Sequence, residues 1–336
     1  MKNLLYIGNH LKQQTANISA IGILGPKLEQ ESYILRYASS KPHKVARLLD
    51  MLWSCFKHRK LTDLVLIDTY STQNFYYALL VTQLCRFLNL KYIPILHGGN
   101  LPQRLKTHPR FSKAIFKHAY KLVSPSIYLK EAFESFGYKN VVYIPNSLEM
   151  SQYPFHEKQL DEVNLLWVRS FSKIYNPLLA VNLLKALQDQ GIKSSLCMVG
   201  PDADGSLEDV KQLAKNLNVS VTITGKLPKQ DWLALSKDYN IFINTTNYDN
   251  MPVSVIEAMA LGLSIVSTNV GGLPYLLKHE KDSLLVPPDN TEAFVAAIKK
   301  LLDNPEATCE MAVQARKKVE LFDWELVKHQ WFELLS

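Results

Sequence analysis

No apolar run in this 336-residue chain approaches the roughly 18 residues that a membrane-spanning helix needs, so no transmembrane segment is expected. The opening MKNLLYIGNH holds only a handful of apolar residues before Gly8, too few for the apolar core of a signal peptide, and it reads better as a buried first strand. A cytoplasmic protein is expected. Cysteine is scarce: Cys55, Cys85, Cys197 and Cys309 stand far apart with no paired spacing. That suggests neither a disulfide framework nor a zinc site, and leaves them as small core residues or bystanders. The dinucleotide fingerprint Gly-x-Gly-x-x-Gly is missing as well. Gly8 stands alone after the first apolar run, while Gly22 and Gly25 fall too late, which disfavours a nicotinamide enzyme.

What is present is bulk and an uneven charge. At 47% hydrophobic the chain can bury large cores, and its length suggests about two domains. Residues 1–150 hold 20 Lys and Arg against 8 Asp and Glu, a net of +12, which leaves −5 for residues 151–336 out of the chain's +7. A basic half could face nucleic acid, an anionic membrane surface or an anionic substrate; the acidic half argues against a protein dedicated to wrapping nucleic acid.

Apolar, β-branched runs alternate with helical patterns along the whole chain. The first half carries NLLYIG, LVLIDTY, KYIPILHGG, KLVSPS and NVVYIPNS. The second restarts with NLLWVRS and continues with SLCMVG, SVTITG, NIFINTT and SIVSTN. Strands separated by helices predict parallel sheets covered on both faces, hence an α/β protein of two Rossmann-like domains with about five strands each. The polar, Pro-bearing PNSLEMSQYPFHEKQLDEVN is the expected linker.

In such sheets ligands bind beyond the carboxyl ends of the strands. There the second half offers Arg169 and Lys173, Gly200, the Gly225-Lys226-Leu227 turn, the TTNYDNMP loop, and the pair Gly271-Gly272. The loop leads into a helix with Asp249 and Asn250 as capping residues, Pro252 in its first turn and Gly262 at its stop. Glu257 is interior to that helix and shares a face with Val253 and Ala260, so its carboxylate needs a partner if it is buried. Two cations beside a helix N-terminus suit a pyrophosphate, and a carboxylate suits a ribose diol. Taken singly, Arg169 and Lys173 read equally as solvated cations, Asp249 as a helix N-cap, His97 as a satisfied structural histidine, and Glu257 as a surface residue.

Together these residues resemble the donor-binding signature of glycosyltransferase family 4, the retaining sugar-nucleotide enzymes of GT-B fold. Its pattern is an acid, seven residues, then Glu and Ala; here it reads Asp249, seven residues, Glu257, Ala258. LLWVRSFSK, GKL, GGLPYLLKHEKDSLLVPPDN and the last amphipathic stretch FDWELVKHQWFELL are similar to other parts of that family, and PILHGGNLPQR and SPSIYL anchor a looser likeness in the first half. The resemblance implies two domains facing each other across a cleft. Residues 1–148 would bind the acceptor, joined by a C-terminal helix at about 323–336 that crosses back, and residues 149–322 would bind the donor.

It also implies the roles. Arg169 and Lys173 would clamp the diphosphate, Glu257 the ribose, and Asp249 with the backbone of Asn250 and Met251 the sugar. His97 would face that sugar from the first domain. Pro252, Val253, Gly200, Gly8, Lys226 and Leu227 would complete the donor site, the last two framing the nucleobase. Two positions depart from the family pattern: the first acid is Asp where Glu is usual, and Arg and Lys are four apart where five is commoner.

The implied activity is hexosyl transfer, with retention, from a nucleotide-diphosphate sugar to a glycan or lipid-linked acceptor in cell-surface polysaccharide synthesis. No cofactor is implied, and no metal, because the basic residues would neutralise the leaving group. A sugar-nucleotide epimerase and a non-catalytic nucleotide-sugar binder remain as alternatives on the same scaffold. Finally, Arg110, Lys113, Lys117 and Lys121 recur at helical spacing beside Phe111, Ala114, Ile115 and Leu122, which predicts one cationic helix face able to lie on an anionic membrane.

Overall fold

The computed structural model describes residues 2–11 and 19–336. The chain divides into two compact units, Met1–Ile144 and Pro145–Ser336. In the first, strands β1 (Asn3–Ile7), β2 (Ile34–Ala38), β3 (Leu64–Thr69), β4 (Tyr92–Leu96), β5 (Leu122–Ser124) and β6 (Val141–Tyr143) form one sheet in the order β2-β1-β3-β4-β5-β6. Every pairing in it is parallel.

The second unit repeats the plan with β7 (Val163–Val168), β8 (Ser194–Val199), β9 (Thr222–Gly225), β10 (Ile241–Asn244), β11 (Ser264–Thr268) and β12 (Leu284–Val286), in the order β12-β11-β10-β7-β8-β9. This sheet too is parallel throughout. Each sheet therefore holds six strands where about five were expected; the additional ones, β2 and β12, are sheet edges. Edge strands bury less of their surface and so lose the continuous apolar signature of a central strand. β2, ILRYA, is half exposed for most of its length, and β12 is three residues long.

Strand alternation builds the cores. Along β7, Leu165 and Trp167 point to a core shared with the helices Pro177–Asp189 and Thr291–Asp303, while Leu166 points to the opposite core with Phe242 and the helix Val253–Ala260. Alternate residues of one strand thus face the two helix layers. A crossover strand order has one place where the direction of winding reverses, and that is where the loops part to admit a ligand. In the first sheet it lies between β1 and β3, in the second between β7 and β10.

The single cationic helix face expected from Arg110, Lys113, Lys117 and Lys121 within residues 104–122 is not formed: His108-Pro109 divides Leu101–Thr107 from Pro109–Phe116, and Lys117 and Lys121 lie beyond the second. Pro109 disfavours a helical His108 and ends the first segment. Ile115 and Leu122 of the supposed apolar flank are in the core. Among the described residues no helix is long and apolar enough to cross a membrane.

Candidate active site

At the reversal point of the second sheet, Arg169 follows β7 and the 245–252 loop follows β10, and the register that pairs Leu166 with Phe242 brings the two together. The Arg169 guanidinium forms an ion pair with the Asp249 carboxylate, lies 3.4 Å from Asn244 Oδ1, and sits 4.7 Å over the Tyr175 ring. Burial pushes the Tyr175 hydroxyl up from its ordinary pKa, with Arg169 pulling against it and Asp249 adding to it. The guanidinium is held on three sides, and this fixes where its positive charge is presented.

Asp249 does not cap the helix. Its Oδ1 accepts the backbone N–H of Asn250 at 2.8 Å, and the N-cap of Val253–Ala260 is Pro252, which makes no side-chain cap hydrogen bond. An uncapped helix N-terminus is electropositive. Asn250, Met251 and Pro252 are buried and Val253 is half-buried, and Asn146 Nδ2 donates to the Met251 carbonyl at 3.2 Å. The 249–250 backbone is pressed against Gly271 and Gly272, where a Cβ would overlap the carbonyl oxygens of Asp249 and Asn250. Glycine there is a requirement of close approach.

Lys173 lies on the short turn Lys173–Tyr175 and is exposed; its backbone N–H donates to Asp204 at 2.9 Å. Asp204 belongs to an Asp202-Ala203-Asp204 triplet in the loop after β8. Its carboxyl is pulled down to about 2, first by the Ser206 hydroxyl and then by the Lys173 N–H, while Asp202 accepts from Gly205 N at 3.0 Å. Both acids serve the loop's own hydrogen bonds, and among the described residues no group of three His, Cys, Asp or Glu is placed to hold a metal ion. Gly200, opening that loop, donates to the Gly225 carbonyl at 2.9 Å. Lys226 and Leu227 form the turn after β9, where Leu227 packs against the core that includes Val255 and Ala258.

Glu257 is 7% exposed. Its Oε1 accepts the Tyr153 hydroxyl at 2.8 Å and an ion pair from Lys229, whose ammonium also lies 4.6 Å over the Tyr153 ring. Neither partner was visible in sequence, since each lies far along the chain.

In the first unit, His97 follows β4 and its Nε2 lies 2.8 Å from Asp68 Oδ1, with its ring stacked on Tyr70. Asp68, near the end of β3, is 5% exposed and also accepts the Tyr6 hydroxyl at 3.0 Å. Burial, then Asp68, raises the pKa of both tyrosines. Gly8 stands against this carboxylate, since a Cβ there would lie 2.6 Å from Asp68 Oδ2. Asp68 was missed in sequence, although a lone acid in LVLIDT is a signal: a charge inside a buried strand needs a partner.

Residues 152–318 match the family model described as glycosyl transferases group 1. The amylovoran biosynthesis glycosyltransferase AmsK of Erwinia amylovora is 28% identical over 141 residues, 40% of this chain and 32% of that protein. The chain spans less than half the length of the curated relatives it matches. Sucrose-phosphate synthase from Thermosynechococcus elongatus superposes with a TM-score of 0.84 at 18% identity, covering 100% of this chain and 98% of that one. Anabaena Alr3699/HepE in complex with UDP-glucose does so with 0.78 at 15%, covering 100% of both. The chain thus carries a glycosyl transferases group 1 segment over residues 152–318, within the two-unit α/β fold of GT-B glycosyltransferases.

Proposed function

We propose that this protein is a retaining glycosyltransferase that takes a hexosyl group from a nucleotide-diphosphate sugar. The observation that carries the reading is the convergence, at the reversal point of the second sheet, of the Arg169–Asp249 pair with the uncapped N-terminus of Val253–Ala260, while the buried Glu257 lies in that same helix. A diphosphate leaving group meets a fixed cation and helix N–H groups there, which favour charge as it develops. Lys173, exposed on its turn, supplies a second cation. Glu257 accepts the ribose hydroxyls, and Asp249 with the Asn250 and Met251 backbone orients the sugar. Gly200, Lys226, Leu227, Pro252 and Val253 shape the rest of the donor site.

With no carboxylate singled out as a nucleophile, retention follows a same-face attack. The bond from the anomeric carbon to the diphosphate breaks as the bond to the acceptor oxygen forms, and the leaving phosphate takes the acceptor's proton. In the first unit His97 is the candidate catalytic residue, its ring fixed by Asp68 and Tyr70, and Gly8 leaves room for the Asp68 carboxylate. No metal or other cofactor enters, since Arg169 and Lys173 neutralise the diphosphate.

The UDP-glucose in the complex of the Anabaena protein supports a sugar-nucleotide donor, and the amylovoran biosynthesis named for the Erwinia relative is in keeping with a biosynthetic acceptor, which we take to be a glycan or lipid-linked saccharide in polysaccharide synthesis. A cytoplasmic protein, peripheral on the inner face of the membrane, would meet that acceptor. Thermal shift and hydrolysis with a panel of sugar nucleotides test the reading: one donor should both stabilise the protein and be hydrolysed slowly. A panel that neither binds nor turns over would overturn it.

A further inference from the structure

The helix Lys44–His58 buries Arg47, Met51 and Cys55 and turns the opposite stripe outward: Val45, Leu49, Trp53 and Phe56 are 60%, 61%, 59% and 44% exposed. At 100° per residue these four fall within about 80° of the helix circumference, an unbroken apolar stripe where a solvated face is expected. The neighbouring helix Asn74–Phe87, packed against both Lys44–His58 and Pro109–Phe116, turns out Tyr76, Leu80 and Phe87, the last 82% exposed. Scattered exposed apolar residues need no explanation, but two adjacent helices with matching stripes do.

The charge on this layer is predominantly positive. Besides the buried Arg47, the three helices carry five Lys and Arg and a single acid, Asp50. Lys57 and Lys60 are exposed on the turns that carry Trp53 and Phe56, and the Arg59 guanidinium lies 4.0 Å over the Phe56 ring. A second copy seated on this face in a two-fold contact would set cations against cations. An anionic bilayer accepts apolar side chains at its acyl boundary and offers phosphates to the cations around them.

We propose that the outward face of Lys44–His58 and Asn74–Phe87 is a docking surface for an anionic lipid bilayer, with Leu49, Trp53, Phe56 and Phe87 inserting and Lys57 and Lys60 on the headgroups. This deepens the peripheral-membrane reading above by naming the surface. It is independent of the donor site.

Trp53 makes it testable, because the other four tryptophans, Trp167, Trp232, Trp324 and Trp331, are each 5% exposed or less. The full chain is mixed with vesicles of phosphatidylcholine with phosphatidylglycerol, or of phosphatidylcholine alone, and read by sedimentation and by quenching with bromine-labelled lipid. Binding to anionic vesicles with quenching, lost in Trp53→Phe while sedimentation persists, is expected. The triple variant Leu49→Ser, Trp53→Ser, Phe56→Ser should sediment at least tenfold less while its thermal midpoint and donor hydrolysis stay as in wild type.

Wild type and triple variant that sediment alike, with release only by Lys113→Gln, Lys117→Gln, Lys121→Gln, would overturn this surface and leave peripheral binding standing. Failure of wild type to sediment even at low salt would overturn both. A dimer in sedimentation velocity that the triple variant dissolves, without vesicle binding, would make a second copy the occupant and refute the bilayer.

Discussion

Substituting Glu257 by Gln separates a ligand role from a structural one. The side chain is 7% exposed, and Gln keeps its volume and an oxygen for the Tyr153 hydroxyl, so packing is preserved while the charge goes. What folding loses is the ion pair with Lys229, whose side chain is 40% exposed and solvent-screened. Such a pair contributes about 0–1 kcal/mol, which for a unit of this size shifts Tm by about 2–4 °C at most. What binding loses is larger: charge-assisted bonds from a ribose diol to a nearly buried carboxylate are worth about 1.5–3 kcal/mol. That is about 10- to 150-fold in Kd. Calorimetry with free nucleoside diphosphates and a thermal melt of the same samples read the two effects side by side. Equal affinity in both proteins would refute the ribose role. A Tm loss of ten degrees or more would show that Glu257 acts chiefly by holding Tyr153 and Lys229 in place.

Arg169→Ala should lower kcat/KM by about 10²- to 10³-fold, as for loss of a donor aimed at developing charge, with the far-UV spectrum unchanged; unaltered turnover would remove Arg169 from the site. Excess chelator should leave the rate within about twofold, because cationic side chains act where a metal would; activity lost with chelator and restored by Mg²⁺ or Mn²⁺ would contradict that. Asp68→Asn should lower kcat by about tenfold or more by freeing the His97 ring, with nucleoside-diphosphate affinity within about twofold of wild type; a variant as active as wild type would make the Asp68–His97 pair purely structural.

The sequence made central strands plain and long-range partners obscure, for one reason. NLLYIG, LVLIDTY and NIFINTT are buried on both faces, so their apolar runs speak for themselves. The edge strand β2 carries Arg36 and an exposed Ile34, which breaks the pattern. The loops after β7 and β10 could be named as a site because a parallel sheet of alternating units puts them at one end. Which side chains would meet there could not be named so easily. Tyr153 reaches Glu257 across 104 residues and Asp68 reaches His97 across 29, and no local spacing encodes either contact. The apolar stripe of Lys44–His58 is not legible as exposed, because an amphipathic pattern alone does not say which of two faces is covered.

The proposed function requires that the bond between an anomeric carbon and a nucleotide diphosphate be broken with retention. Proton NMR of one bound sugar nucleotide, incubated with wild type and with Arg169→Ala, tests it most directly. Release of nucleoside diphosphate by wild type alone, with the first-formed sugar or glycoside keeping the donor's anomeric configuration, is the predicted spectrum. Inverted configuration, or an epimerised sugar nucleotide formed with no acceptor and no diphosphate released, would contradict it.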